Sequence, residues 1–237
     1  MAMAISVIIP TLNEEQTVMA TVAHAATLGF EELIVVDGGS SDRTPLLVES
    51  YRLSTQHSAL SPVRLVTAPR GRASQMNEGA TTSSGEILLF LHADTQLPHD
   101  AKATIESTLA DQRIVGGRFD VRFDRPSIWG SIISRMMNWR SRLSGIATGD
   151  QALFVRRPIF ERMGGFANLP LMEDIDFSRR LKRVGTTAAL TSTVTTSFRR
   201  WEQQGPLRTI LLMWRLRFLY WIGVCPHTLH RWYRLVR

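Results

Sequence analysis

The sequence predicts an α/β fold: one domain with a Rossmann-like, mostly parallel central sheet flanked by helices, then a helical C-terminal extension. Three observations predict it. Short apolar runs alternate four times with helix signals between Ile5 and His92, the pattern of a parallel sheet wound by crossover helices. The run Ile87-Leu88-Leu89-Phe90-Leu91 is continuously apolar and stops at the polar His92-Ala93-Asp94, as a strand buried on both faces does. At 237 residues and 44% hydrophobic content, the chain can bury one sizeable core.

Ile5 to Ile9 reads as the first strand, ended by Pro10, which has no N–H for the ladder. Asn13 is a good N-cap, so a helix from Glu14 to Thr27 is expected, closed by Gly29. Glu32 to Val36 is the second strand and delivers Asp37 to the edge where Asp94 lies. Gly38-Gly39-Ser40-Ser41-Asp42 is then a tight polar loop, with Pro45 suited to the first turn of the next helix. Val63 to Thr67 is the third strand. A short helix from Arg70 to Ala80 follows, on which Arg72, Gln75 and Asn77 can present donors toward the same crevice. Phe119, Val121 and Phe123 alternate with charged residues, the period of a strand at the sheet margin with solvated ion pairs. Ile128 to Ser141 reads as an amphipathic helix, Ser144 to Gln151 as a flexible polar loop, and Ala152 to Val155 as a strand. Pro158 to Met163 is a short helix. A last helix runs to Val184 with Glu173, Asp174 and Asp176 in its first turn.

Two clusters carry chemical potential. His92 and Asp94 leave the same face of an extended backbone, at the strand end where open α/β sheets bind ligands. Such a pair can hold Mg²⁺ or Mn²⁺, which take few protein ligands and fill their shells with substrate phosphates. The plain alternative is a strand end facing water. Glu173, Asp174 and Asp176 sit where a helix N-terminus favours carboxylates, so simple capping explains them equally. They do not share one helical face. One can point at a substrate while the others cap or pair with Arg179 and Arg180.

No G-x-G-x-x-G opens a helix and no G-x-x-x-x-G-K-[ST] occurs, so dinucleotide redox chemistry and P-loop hydrolysis lack support. The single Cys225 excludes an intrachain disulfide and fits a reducing compartment. No signal peptide is visible, so a cytoplasmic location is expected. Residues 199–237 hold eight arginines against one acid, Glu202, so the whole net charge of +7 lies in this tail. A basic tail points to an anionic partner.

Taken together, these residues resemble family 2 glycosyltransferases of the GT-A fold, over Ile5 to about Trp201. Ser6-Val7-Ile8-Ile9-Pro10-Thr11-Leu12-Asn13-Glu14 is similar to that family's opening strand and loop, and Val35-Val36-Asp37-Gly38-Gly39-Ser40-Ser41-Asp42 to its base-binding segment. His92-Ala93-Asp94 lies where its metal-binding D-x-D lies, and Glu173-Asp174 where its catalytic acid pair lies. Four motifs in order are specific where each alone is weak. Within the family the chain is similar to small bacterial members labelled as arsenosugar-biosynthesis or carotenoid glycosyltransferases, by analogy only.

The resemblance implies an inverting, metal-dependent, non-processive transfer of a sugar from a nucleotide diphosphate sugar, UDP-linked, to an acceptor hydroxyl. It implies a nucleotide-sugar site of Pro10, Thr11, Asn13, Glu14, Asp37, Ser40, Arg72, Gln75, Asn77, His92, Ala93 and Asp94. In it Asp37 accepts from the base and Asp94 binds Mg²⁺ or Mn²⁺. Asp174 would be the general base, with Gly149, Asp150, Gln151, Glu173, Arg200 and Trp201 on the acceptor side. Residues 1–98 would be the nucleotide-sugar half, 99–203 the acceptor half and 204–237 the tail. Two departures stand out. His92 replaces the first acid of the D-x-D. Ser197 replaces Gln in Ser197-Phe198-Arg199-Arg200-Trp201, which otherwise resembles the Q-x-x-R-W of processive synthases. A nucleotidyltransferase and a nucleotide-sugar-binding protein without catalysis are the rival readings.

The partners implied are a nucleotide diphosphate sugar and a lipid or small-molecule acceptor, with no nucleic acid. Leu207 to Val224 is apolar almost all round but broken by Arg215 and Arg217, which disfavours a spanning helix by about 2.5–3.5 kcal/mol each. Two settings remain for it: a homodimer interface, or the surface of an anionic membrane on its inner, cytoplasmic face. In the second, Trp214, Tyr220, Trp221, Trp232 and Tyr233 would lie at headgroup depth, with Arg231, Arg234 and Arg237 toward the lipid.

Overall fold

The computed structural model describes residues 3–55 and 58–236, with the backbone alone for 200 and 234–236. The chain runs β1 (Ile5–Thr11), α1 (Val18–Ala26), β2 (Glu32–Asp37), α2 (Thr44–Thr55), β3 (Val63–Thr67), α3 (Arg72–Thr82) and β4 (Ile87–Phe90). There follow β5 (Thr95–Gln96), α4 (Ala101–Leu109), β6 (Ile114–Phe123), α5 (Ile128–Ser144), a 3₁₀ turn (Gly149–Gln151), β7 (Leu153–Arg156), α6 (Arg157–Arg162) and α7 (Glu173–Val184). The last elements are β8 (Thr186–Thr196), α8 (Arg199–Gln204), α9 (Pro206–Trp221) and α10 (Pro226–Val236). Eight strands form one sheet in the order β3-β2-β1-β4-β7-β6-β8-β5. The first four are mutually parallel, β7 is antiparallel to both neighbours, and β6 is parallel to β8. The expected α/β class with a mostly parallel, helix-flanked sheet is what the chain adopts.

Both sheet faces are covered, which is why β1, β2 and β4 read as unbroken apolar runs. Val7, Ile9, Val35 and Leu89 pack with Val18 and Val22 of α1 and Ile105 of α4. Ile8, Ile34, Val36, Leu88 and Phe90 face the other way, onto Met76 of α3, Phe160 of α6 and Phe177 of α7. Alternate residues of one strand thus serve two cores. A third, smaller core joins the tail to the domain: Leu216 of α9 and Leu229 and Tyr233 of α10 pack with Met172 and Ile175 at the start of α7.

Several expectations fail for local reasons. β1 does not stop at Pro10 but pairs through Pro10↔Val36 to Thr11↔Asp37. Leu91 N donates to Ile8 O, so Pro10, two residues on, turns its nitrogen to the β4 side, where that strand has already ended. α1 begins at Val18 rather than Glu14, because Asn13 adopts a left-handed φ of 56° and caps no helix. β6 is not marginal but lies between β7 and β8. Its Arg118 is buried and paired with Asp120, which also takes Arg142 Nη2 at 2.7 Å. α5 exposes much of its apolar face, with Ile128, Ile132, Trp139 and Leu143 open to solvent. The loop before β7 is closed by a capping box between Thr148 and Gln151. The threonine-rich β8 carries too little apolar alternation to read as a strand.

α3 lies on β1 and β2 through Gly79, where an added Cβ would sit 2.4 Å from Ile8 Cγ2 and 3.0 Å from Val36 Cγ2. Ile8 is fully buried and has no room to yield. Gly79→Ala is therefore expected to destabilise the chain by about 1–3 kcal/mol. Urea denaturation should show a lower midpoint with an unchanged slope. An unchanged midpoint would mean that α3 sits farther from β1.

Candidate active site

The strand order reverses between β1 and β4, and the crevice beyond their carboxyl ends is where such sheets place ligands. A narrow cleft opens there. Pro10, Leu91 and His92 from the strand ends line it, together with Arg72 of α3, Gly149 of the 3₁₀ turn and Asp174 of α7. Residues far apart in sequence thus share one cleft.

The floor on the β2 side is two loops laced together. Asp37 is buried, and its Oδ2 accepts from Gly39 N and Ser40 N at 2.9 Å each, while Oδ1 accepts from Ser40 Oγ. Gly39 has a φ of 84°, a conformation glycine reaches without strain. Asn13 N donates to Ser40 Oγ and Asn13 Oδ1 accepts from Ser41 N at 2.8 Å. Glu14 N donates to Thr44 Oγ1. Thr11 O accepts from Gly38 N. Thr11, Asn13, Glu14, Asp37 and Ser40 therefore come together as one rigid unit.

Gln75 and Asn77, expected to donate into the crevice, have their amides engaged elsewhere. Gln75 is buried and its Nε2 donates to Thr11 O and Val36 O, tying the ends of β1 and β2. Asn77 makes a reciprocal pair with the backbone of Phe166, as Nδ2 donor at 2.8 Å and Oδ1 acceptor at 2.9 Å. Gln151 is likewise internal: fully buried, its Oε1 accepts from Thr148 N. These three support the crevice and do not line it.

At the other wall Gly149 stands between His92 and Asp174. Its N donates to Asp174 Oδ2 at 2.9 Å. An added Cβ would lie 2.2 Å from His92 Nε2, so only glycine fits against that ring. Asp174 Oδ1 accepts from its neighbour Ile175 N. His92 Nδ1 lies 3.1 Å from Asp150 Oδ1, and its buried Nε2 has no hydrogen-bond partner. The three acids at the start of α7 diverge as their spacing implies. Glu173 pairs with Arg72 at 3.3 Å, Asp174 turns to Gly149, and Asp176 pairs with Arg180 at 2.7 Å. Burial raises the Glu173 carboxyl, against the pull of Arg72, and the charge of Asp174 adds to the rise. Burial opposes the charge of Arg72, but Glu173, Asp174 and Asp150 outweigh it and hold the guanidinium above its ordinary value. Met172 precedes these acids with a left-handed φ of 70°, a strained setting for a non-glycine residue.

Asp94 is half-buried, and Thr95 Oγ1 donates to its carboxylate over a long 3.4 Å. Among the described residues no three His, Cys, Asp or Glu side chains cluster to form a metal cage. One weakly engaged carboxylate fits a hard cation that completes its shell with substrate phosphates and water. His92 fits less well, because Nδ1 faces Asp150 and Nε2 abuts Gly149.

Trp201 stacks edge-on with Phe123 at 6.0 Å, and the Arg200 side chain lies outside the described residues. Sequence reasoning missed Arg199, whose guanidinium reaches back to Gln16 Oε1 at 3.0 Å and Glu14 Oε2 at 3.5 Å. It also missed Arg140 of α5 and Arg217 of α9, which approach the charges of Asp174 and Asp150.

Comparison with known proteins identifies the family. The family model described as glycosyl transferase family 2 matches residues 6–164. The chain is 26% identical over 233 residues to the probable glycosyltransferase YdaM of Bacillus subtilis, covering 90% of this chain and 53% of that protein. It is 35% identical over 100 residues to glucosyl-3-phosphoglycerate synthase of Mycobacterium tuberculosis, covering 40% of this chain and 30% of that one. The chain thus spans about half, or less, of the length of these relatives. Among solved structures, the mannosyltransferase PcManGT of Pyrobaculum calidifontis, in complex with GDP-Man and Mn²⁺, superposes with a TM-score of 0.68 at 22% identity. That match covers 92% of this chain and 61% of that one. TarS 1-349 of S. aureus in complex with UDP-GlcNAc gives 0.61 at 18% identity, covering 82% and 58%. These likenesses are of fold. With the family model spanning well over half of the sequence, the chain belongs to glycosyl transferase family 2 and has the GT-A fold.

Proposed function

We propose that the chain is an inverting, metal-dependent, non-processive glycosyltransferase that moves a sugar from a nucleotide diphosphate sugar, UDP-linked, to an acceptor hydroxyl. The observation that carries this reading is that a cleft beyond the strand ends brings Pro10, Arg72 and His92 together with the Asp174 carboxylate. That PcManGT was solved with GDP-Man and Mn²⁺, and TarS with UDP-GlcNAc, supports the donor class and the metal.

In this reading residues 1–98 hold the donor and 99–203 the acceptor. Asp37, fixed by its loop, accepts from the base. Asp94 would hold Mg²⁺ or Mn²⁺, which when bound neutralises charge on the leaving diphosphate. Arg72 adds a fixed positive charge in the same cleft. Asp174 takes the acceptor proton as the hydroxyl oxygen bonds to the anomeric carbon. The bond from that carbon to the diphosphate oxygen breaks on the opposite side, so the nucleoside diphosphate leaves and the configuration inverts. The hydroxyl becomes acidic only as the new bond forms, so a carboxylate suffices as base. Ser197 in place of the Gln of Q-x-x-R-W supports release after a single transfer.

A second proposal concerns residues 204–237. Among the described residues no helix is long and apolar enough to cross a membrane. Yet Leu207, Leu211, Trp214, Phe218 and Trp221 fall on one face of α9 at alternating four- and three-residue spacing, and all are exposed. Tyr220 and Tyr233 turn inward to the third core, so they do not face lipid; Trp214, Trp221 and Trp232 do remain exposed. Arg234 and Arg237 lie outside the described side chains, while Arg208, Arg215 and Arg231 are exposed around the apolar face. An apolar stripe rimmed by arginines suits an anionic bilayer surface better than a second copy bearing the same charge.

Two variants test the chemistry. Asp94→Ala should lose the Mn²⁺-dependent part of UDP affinity in calorimetry. Asp174→Asn should keep that affinity and lower sugar transfer by at least ~10²-fold. Normal transfer by Asp174→Asn, with loss in Asp176→Asn, would move the base to Asp176. For the tail, liposome flotation should show binding that needs anionic lipid, weakens in high salt and disappears on deletion of residues 204–237. A dimer indifferent to liposomes that dissociates on the same deletion would show that the stripe is a subunit interface.

A further inference from the structure

α5 reverses the usual arrangement of a surface helix, which turns its apolar face to the core. Its buried side is mostly small and polar: Gly130, Ser134 and Ser141, with Ile133 the one large apolar residue. Asn138 clamps the helix to β6, accepting from Val121 N at 2.9 Å and donating to Val121 O at 3.0 Å, which fixes its roll. Ile128, Ile132, Met136, Trp139 and Leu143, spaced by four or three residues, then form an exposed apolar stripe on the opposite side. A contiguous exposed stripe of this kind marks a contact surface.

The exposure is confined to one region. Among the described residues, thirteen of the sixteen large hydrophobic side chains open to solvent lie on α5 or on α9, α10 and the turn between them; the other three are Leu46, Leu53 and Val184. α5 is tied to the tail at both ends. At its start Arg125 pairs with Glu202 of α8 at 2.8 Å, and Phe123 meets Trp201 of the same helix, which runs into α9 at Gly205. Past its end Ile146 packs against the third core, which holds Leu216 of α9.

Charge selects what covers this surface. From Arg125 to Gly149 the sequence has four arginines and no acid, and after Glu202 it has no acid either. Arg135 and Arg142 are exposed four residues before and three after Trp139, and so flank the stripe. Five of the six tryptophans, Trp129, Trp139, Trp214, Trp221 and Trp232, are exposed on these helices, and tryptophan collects at headgroup depth. A second copy would press the surface against itself about a two-fold axis and set arginine against arginine. Anionic phospholipid meets the same arginines with opposite charge.

We infer that α5 is a second membrane-facing element, continuous with the tail, and that the chain lies on an anionic bilayer along two helices. This rests on the bilayer reading of α9 for the shared surface, while the stripe of α5 stands on its own residues.

Flotation of the full chain with phosphatidylglycerol–phosphatidylcholine vesicles tests this. Trp139→Gln with Leu143→Gln should weaken binding by at least about 10-fold with the tail intact, the scale of one such side chain leaving an apolar surround. Leu46→Gln with Leu53→Gln, on α2, should bind as the wild type. All four side chains are more than half exposed, so these changes leave the core alone. A second measurement reads the face directly. Cys225 is the single cysteine, so a polarity-sensitive fluorophore can be placed on Leu143→Cys in a Cys225→Ser background. Vesicles should shift its emission to the blue and shield it from aqueous iodide, and the same label on Leu46→Cys should show neither effect. Wild-type binding by the α5 variant, or a label on α5 that does not respond, overturns the inference and leaves the tail reading standing. Loss in the α5 variant with wild-type binding by Trp214→Gln and Phe218→Gln together supports α5 and overturns the tail reading alone. No vesicle binding by the wild type overturns both. A label shielded from iodide without vesicles, in a chain that sediments as a dimer, overturns the inference by placing a second copy on α5.

Discussion

Everything at the wall formed by His92, Gly149 and Asp174 depends on Gly149 having no side chain. It leaves no room for a Cβ against the His92 ring and its N–H holds Asp174, so the end of β4, the 3₁₀ turn and the start of α7 meet at one residue. A methyl group there would push into the imidazole, which Asp150 holds from the other nitrogen. The capping box of Thr148 and Gln151 fixes the turn, and the fully buried Gln151 leaves it no play. Asp174 is therefore set by backbone, while its neighbour Glu173 is held by the Arg72 side chain.

The tail is part of this arrangement. The third core joins α9 and α10 to the residues that flank Glu173 and Asp174, including the strained Met172. A boundary drawn at residue 204 on composition separates elements that share one core. The basic charge divides along the same line: Arg217 turns in toward the acids, while Arg208, Arg215 and Arg231 stay on the surface. One helix thus serves two neighbourhoods, with an outer apolar stripe and an inner guanidinium.

The legible parts of the sequence were those where a strand or helix ends in a change of polarity. β4 running out into His92-Ala93-Asp94, β2 delivering Asp37, and the acids opening α7 all took their places from local pattern alone. Residue type without geometry was less informative. An amide on a helix facing a crevice can donate into it or bind backbone, and Gln75 and Asn77 do the latter. An arginine on an amphipathic helix reads as surface, and only the docking of α9 on α7 turns Arg217 inward. β6 gave the right period but the wrong place, because the long-range pairing with β8 that buries Arg118 leaves no local signal.

The central claim is that one cleft binds a nucleotide sugar and turns it over. The most direct measurement incubates the chain with a panel of nucleotide sugars and, separately, nucleoside triphosphates, with and without Mn²⁺, and quantifies the phosphate-containing products. The account predicts metal-dependent release of a nucleoside diphosphate from at least one nucleotide sugar and no pyrophosphate from any triphosphate. Pyrophosphate release with the sugars untouched would identify a nucleotidyltransferase and contradict it.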